Sequence, residues 1–121
     1  MTEKLVFLVD DEPAVVQTLG AILGRKGYNI RQFTAPLEAL AAADEVEPAL
    51  LFTDVVMPQL NGLQLADKIL EKRPDCKILL ISGNASFIAE YAAEMRFQLL
   101  EKPAAVADIL STVSALIGPP S

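Results

Sequence analysis

The chain has 121 residues, enough for one domain with its own hydrophobic core. Hydrophobic residues make up 52% of the chain, yet no apolar run approaches the roughly 20 residues that cross a membrane, so we expect a soluble domain without membrane association. Basic residues number 10 and acidic residues 16, giving a net charge of −6, and without a Lys/Arg cluster we expect no direct nucleic-acid binding.

Histidine is absent and cysteine occurs once, at Cys76. Without histidine the chain lacks the commonest general base and the commonest zinc ligand, which excludes His-dependent triads and zinc hydrolysis. A single cysteine cannot form an intrachain disulfide, and we interpret Cys76 as an inert thiol at a strand edge. The charged start at residues 1–4 and the short apolar run after it do not resemble a signal peptide, which favours the cytoplasm.

The first unit reads as strand, acidic turn and helix. Residues Leu5–Val9 form a continuous apolar run, typical of a strand covered on both faces. Acidic residues follow, one of them a candidate N-cap, and Pro13 suits the first turn of a helix. Helical spacing of apolar residues continues to Gly27, which ends the segment.

The second unit is less apolar. Residues 28–33 mix polar and apolar side chains, which indicates a strand at a sheet edge. Thr34 is a candidate N-cap for the next helix, with Pro36 inside the first turn. The apolar positions of this weakly amphipathic helix are Leu37, Leu40 and Ala41.

The third strand, residues 50–53, ends at Asp54. Ligands of open α/β sheets bind outside the carboxyl ends of the strands, so Asp54 is placed to do chemistry. Aspartate also starts turns and caps helices, and Asp54 taken alone fits either role. A turn over residues 59–62 and a helix ended by Pro74 follow.

Two further units complete the pattern. A fourth strand over residues 77–81 leads into Ser82, and a fifth over residues 97–100 leads into Lys102. The helix between them has apolar positions Phe87, Ile88, Tyr91 and Met95. The last helix has apolar residues at helical spacing over Val106–Ile117, and residues 118–121 read as a tail or the start of a linker.

Five strands alternating with five helices predict a doubly wound α/β fold, with a parallel sheet between two helical layers. All carboxyl ends of a parallel sheet lie at one edge. The side chains expected to converge there are Asp10, Asp11, Asp54, Ser82 and Lys102. Carboxylates so close together repel one another unless a cation binds, and a set of oxygen ligands suits Mg²⁺ best.

An ionised carboxylate in this cluster can attack a phosphoryl group and form an aspartyl phosphate. Mg²⁺, the Lys102 ammonium and the Ser82 hydroxyl would then stabilise the three equatorial phosphoryl oxygens.

In this combination and order, the motifs resemble those of a response-regulator receiver domain. They are Asp10-Asp11, Asp54 with Val55-Val56-Met57-Pro58 and Gly62, Ser82, and Lys102-Pro103. We therefore predict a receiver domain over residues 1–117, and the resemblance implies a flavodoxin-like three-layer sandwich with strand order 2-1-3-4-5.

The resemblance implies that Asp54 accepts a phosphoryl group from a histidine kinase or a histidine phosphotransfer protein. Asp11, Asp54 and the backbone carbonyl of Val56 would bind Mg²⁺ directly, and Asp10 mainly through water. A downstream partner or fused output domain would recognise the phosphorylated domain. The receiver domain itself would be a monomer or weak homodimer.

The resemblance implies further that Ser82 and Lys102 each contact a phosphate oxygen. It also implies a cis peptide bond between Lys102 and Pro103.

This chain departs from the family pattern at Leu99. Receivers commonly have Tyr or Phe three residues before the lysine, where this chain has Leu99, so the usual aromatic switch is in doubt. Phe97 should share a strand face with Leu99, and we expect it to pack against the last helix. Apolar Val56 and polar Asn84 flank the expected path of water, and we predict a moderately long-lived phosphorylated state.

Two alternatives remain open at this point: a receiver-like binding module that is not phosphorylated, and a small flavodoxin-like enzyme. The enzyme would be a flavin-binding protein or an aspartyl-phosphate phosphatase. Against flavin, acids follow the first strand where a phosphate-binding loop is needed. Against the phosphatase, nothing resembles a substrate-specificity cap domain.

Overall fold

A computed structural model describes residues 4–93 and 96–120 of the chain. The strands β1 to β5 are Leu5–Val9, Asn29–Phe33, Leu50–Asp54, Lys77–Ser82 and Gln98–Glu101. The helices α1 to α5 are Pro13–Arg25, Pro36–Ala42, Gly62–Lys72, Ala85–Tyr91 and Val106–Ile117. Strands and helices alternate throughout, as predicted.

The five strands form one parallel sheet in the order β2-β1-β3-β4-β5. This confirms the doubly wound α/β fold and the strand order, and it places β2 at an edge. Asp54 is in register with Ile81, and Ser82 with Glu101. The carboxyl ends of β3, β4 and β5 therefore lie side by side.

Alternating side chains of the sheet supply two separate cores. On β1, Phe7 and Val9 face the layer that contains α2, α3 and α4. Val6 and Leu8 face the layer of α1 and α5. The central strands are buried on both faces, which is why they read as continuous apolar runs.

The expected N-cap at Thr34 is wrong. The N-cap of α2 is Ala35, which makes no side-chain cap hydrogen bond, and Pro36 is the first helical residue. Two of the three apolar positions predicted for α2, Leu37 and Ala41, are exposed. The buried face of this helix is formed mainly by small or cyclic residues, for which hydropathy is a weak signal.

Phe97 does not pack against the last helix. It lies just before β5 and joins the core of α2, α3 and α4, on the same face as Leu99. The shared face was predicted correctly, but the helical layer was assigned wrongly because strand periodicity gives two faces without saying which helices cover them. The predicted apolar position Met95 lies outside the described residues.

Residues 118–120 lie against the turn between α1 and β2. The Tyr28 hydroxyl donates a hydrogen bond to the Gly118 carbonyl oxygen at 2.7 Å. Gly27 has a φ of +105°, and a Cβ there would lie 3.3 Å from Cβ of Pro120.

None of the helices in the described part of the chain has the length and apolar composition to span a bilayer.

Candidate functional site

Four strand ends bring the predicted site residues together. Asp10 follows β1, Asp54 ends β3, Ser82 ends β4, and Lys102 follows β5. Asp10, Asp54 and Ser82 are buried, with 2%, 9% and 1% of their surface exposed, whereas Asp11 is exposed. Side-chain oxygens of Asp10, Asp11 and Asp54, here called the carboxylate cluster, lie within 4.8 Å of one another.

Lys102 is shared between two members of the cluster. Its Nζ lies 3.3 Å from Oδ2 of Asp10 and 3.3 Å from Oδ1 of Asp54. Asp10 is further held by the turn after β1, because its Oδ1 accepts a hydrogen bond from the backbone N–H of Glu12 at 2.9 Å. Glu12, the N-cap of α1, makes no side-chain cap bond itself.

This arrangement shifts two pKa values. Burial, and then the Asp10 carboxylate, raise the pKa of Asp54 above its ordinary 3.8, while Lys102 opposes the shift. Burial acts to lower the pKa of Lys102, but Asp54 and Asp10 together outweigh it and raise that pKa above 10.5. The site thus concentrates negative charge that a single ammonium only partly balances.

The loop after Asp54 is fixed by alternate side chains. Val55 and Met57 are buried, whereas Val56 between them is 57% exposed. The backbone N–H of Val55 donates to the Ile81 carbonyl oxygen at 3.2 Å, which ties this loop to β4. The Val56 side chain therefore lies at the surface, two residues after Asp54.

Gly62 allows this loop to close. A Cβ at Gly62 would lie 2.4 Å from the Asp54 carbonyl oxygen, so any other residue would force the backbone apart. Asn61 and Gln64 form a reciprocal capping box at the start of α3. This cap was not predicted, although an Asn followed three residues later by Gln is its signature.

Ser82 is joined to the start of α4. Its Oγ accepts a hydrogen bond from the backbone N–H of Asn84 at 3.1 Å. The Asn84 side-chain oxygen in turn accepts from the backbone N–H of Phe87 at 2.8 Å and caps the helix. The oxygen of Asn84, a residue that we expect to flank the path of water, is therefore engaged in the helix cap.

The β5 side of the site is held to β4. The backbone N–H of Lys102 donates to the Ser82 carbonyl oxygen at 2.9 Å, and the Lys102-Pro103 peptide bond is cis, as the resemblance implied. The residues of the carboxylate cluster fit a hard divalent cation, because three acidic groups on separate positions offer oxygen ligands within one small volume.

Comparison with known proteins agrees with this geometry. Residues 6–114 match the family model of the response regulator receiver domain. The chain belongs to the response regulator receiver family. This receiver domain is thus a signalling module of two-component systems, and the small flavodoxin-like enzyme is not favoured.

Relatives of the receiver domain differ in length. It is 28% identical to the response regulator receiver protein CpdR of Brucella abortus, with 94% of this chain and 97% of that protein covered. It is 31% identical over 93% of its length to the sensor kinase CckA of the same organism, but spans only 12% of that protein.

A solved response regulator of Burkholderia pseudomallei, described with a phosphorylated aspartic acid, a calcium ion and citrate, is 32% identical to the receiver domain. The match covers 93% of this chain and 66% of that chain, with a TM-score of 0.78.

Proposed function

We propose that this receiver domain accepts a phosphoryl group on Asp54 and thereby switches between two conformations. The observation that carries the proposal is the pairing of a buried strand-end carboxylate with the Lys102 ammonium at 3.3 Å, inside the carboxylate cluster. An aspartate held in this way is an ionised nucleophile. The Lys102 ammonium beside it can then pair with the phosphoryl group that Asp54 receives.

In the proposed transfer, a carboxylate oxygen of Asp54 attacks the phosphorus of a phosphohistidine. The new P–O bond forms as the P–N bond breaks, and its electron pair remains on the imidazole nitrogen of the donor. No general base is needed, because the carboxylate has no proton to lose. Lys102 then pairs with a phosphoryl oxygen, and the hydroxyl of Ser82 donates a hydrogen bond to another.

We assign the cation of this site as Mg²⁺, bound by Asp11, Asp54 and the Val56 backbone carbonyl, with Asp10 acting mainly through water. When bound, Mg²⁺ supplies the positive charge that a carboxylate cluster and a phosphoryl group require together. The exposure of Asp11 and Val56 supports this assignment, since a hydrated ion that retains waters needs an open side.

The proposed donors are a histidine kinase or a histidine phosphotransfer protein. Since a histidine kinase takes its phosphoryl group from ATP, we place the receiver domain in the cytoplasm. The match to a segment of a sensor kinase and to the receiver protein CpdR supports both a fused and a separate arrangement. The modified domain, a monomer or weak homodimer, would act on a downstream partner or output domain and not directly on nucleic acid.

A moderately long-lived aspartyl phosphate is part of the proposal. The Val56 side chain offers no group to orient an attacking water, and the oxygen of Asn84 is bound to the N-terminus of α4. Phosphate release within seconds would contradict this part alone.

Intact mass after incubation with acetyl phosphate and Mg²⁺ tests the assignment. We expect one phosphate-sized, base-labile increment in the wild type, and none in Asp54→Asn or in EDTA. Asp75→Asn, which changes an exposed aspartate before β4 at the opposite end of the sheet, is the matched control and should behave like the wild type. If neither acetyl phosphate nor a phosphohistidine donor modifies the wild type, the domain is a binding module and the proposal fails.

A further inference from the structure

Helix α4 is anchored by a single buried side chain. Tyr91, at its last turn, is 5% exposed, whereas the other residues of the helix are exposed or half-buried. By comparison, α1 and α3 each bury four residues. Because few buried contacts hold α4, small forces at its ends can displace it more readily than they can displace α1 or α3.

The buried anchor is also a polar link to β5. The hydroxyl of Tyr91 donates a hydrogen bond to the Phe97 carbonyl oxygen at 3.0 Å and accepts one from the backbone N–H of Phe97. Both backbone groups of Phe97, the residue just before β5, therefore depend on one hydroxyl. A shift of Tyr91 must either carry the start of β5 with it or break these bonds.

The other end of α4 is linked to the phosphorylation site. Ser82 accepts from the N–H of Asn84, and Asn84 accepts from the N–H of Phe87. The Phe87 ring stacks on Tyr91, with 5.3 Å between ring centroids and 16° between planes. These contacts form one continuous path from the Ser82 hydroxyl to the backbone of Phe97.

We propose that Tyr91 is the positioning residue through which this receiver domain transmits the state of Asp54 to β5. The inference rests on the proposed function. When the Ser82 hydroxyl donates a hydrogen bond to a phosphoryl oxygen, Asn84 and the N-terminus of α4 move with Ser82. The Phe87 and Tyr91 rings carry that displacement to Phe97.

Leu99 strengthens this assignment. It occupies the β5 position where the resemblance leads one to expect an aromatic side chain, and it has no polar group with which to report a change. Leu99 and Tyr91 belong to the same core, to which α4 contributes the aromatic rings of Phe87 and Tyr91.

The test compares Tyr91→Phe with Tyr28→Phe, because the chain contains two tyrosines and each hydroxyl bonds a distant backbone group. Each protein is phosphorylated with acetyl phosphate and Mg²⁺, the modified fraction is read by intact mass, and hydrogen exchange is followed in a peptide spanning residues 97–101. We expect all three proteins to be modified equally. The wild type and Tyr28→Phe should change exchange on phosphorylation, and Tyr91→Phe should lose that change.

A second measurement uses the native Tyr91. The Tyr28→Phe variant has Tyr91 as its one tyrosine and the chain has no tryptophan, so its fluorescence reports Tyr91 directly. We expect emission to change on phosphorylation in Tyr28→Phe and to stay constant in Tyr91→Phe.

The outcomes separate the two proposals. An unchanged exchange response in Tyr91→Phe, or a phosphorylated wild type with no response in residues 97–101, would overturn the role of Tyr91 while leaving Asp54 as the acceptor. Absence of any mass increment with acetyl phosphate and with a phosphohistidine donor would overturn the acceptor assignment, and this inference with it.

Discussion

Asp54 and Lys102 influence each other in opposite directions. Burial makes the charged form of each costly, and the ion pair between them offsets part of that cost. For Lys102 the two carboxylates win and the pKa rises, so the ammonium stays charged. For Asp54 burial and Asp10 win, so the carboxylate is ionised at a cost to the folded state.

This cost predicts a pH-dependent stability. A carboxyl whose pKa is raised on folding stabilises the folded state while it is protonated, and that contribution is lost as the pH rises through the folded-state pKa. We expect Asp54→Asn to unfold at higher urea concentration than the wild type at pH 7 in EDTA. The advantage should shrink as the pH falls toward 3.8, the ordinary pKa of this carboxyl.

Mg²⁺ provides the control for this comparison. At about 100 times its dissociation constant, the ion should add about 2.7 kcal/mol to the unfolding free energy of the wild type and less to the variant, which lacks a ligand. A wild type more stable than Asp54→Asn at pH 7 without Mg²⁺ would mean that Lys102 outweighs burial.

The Cys76 thiol should be unreactive in the folded protein. It is 5% exposed, and burial raises the pKa of its thiol to about 12. At pH 8, about one thiol in ten thousand is then ionised, and the thiolate is the reactive form. We expect no iodoacetamide adduct in the native protein over an hour and complete alkylation in guanidinium, both read by intact mass. Rapid native alkylation would show that β4 opens at its start.

At the scale of elements, the β3–α3 connection decides where Asp54 sits. Two buried side chains hold the loop down, and Gly62 lets the start of α3 approach the Asp54 carbonyl. The backbone N–H of Gly62 also donates to the Val55 carbonyl oxygen at 2.8 Å. The helix start and the strand end thus form one packed unit.

Gly62→Ala should therefore destabilise the domain by about 1–3 kcal/mol, since the added methyl overlaps backbone and cannot be absorbed by a side-chain rotation. Gly24→Ala is the matched control. A Cβ there meets no atom within 4 Å on an exposed part of α1, and alanine should stabilise the helix by about 0.5–1 kcal/mol. Urea unfolding of the two variants should give opposite signs. Equal signs would contradict the close approach at Gly62.

The same elements show what the sequence could predict. The buried strands, and the acids, Ser and Lys at their ends, could be predicted because apolar runs and parallel topology together place those side chains at one edge of the sheet. The helical layer that covers Phe97 was not readable, because it depends on how α4 and α5 divide the two faces of β5. The hydrogen bonds between the Tyr91 hydroxyl and Phe97 could not be predicted either. Their partners on Phe97 are backbone groups, which every residue has, so no sequence pattern marks them.

At the scale of the whole molecule, the chain is acidic, and part of its negative charge is concentrated in the carboxylate cluster. The net charge is −6, and the carboxylate cluster lies at one edge of the sheet. A folded chain of this length has a radius of gyration of about 14 Å. The screening length is about 30 Å at 0.01 M salt and about 8 Å at 0.15 M. Distant acids therefore attract a cation to the site only at low salt.

We expect the dissociation constant for Mg²⁺ to rise severalfold between 0.01 and 0.15 M NaCl, measured by isothermal titration calorimetry. Glu45→Gln removes one exposed charge in the loop before β3, at the opposite edge of the sheet. It should weaken binding at 0.01 M and leave it unchanged at 0.15 M. Asp11→Asn removes a proposed ligand and should weaken binding at both salt concentrations. Equal behaviour of the two variants would mean that Asp11 contributes only long-range charge, and that the cation is bound without it.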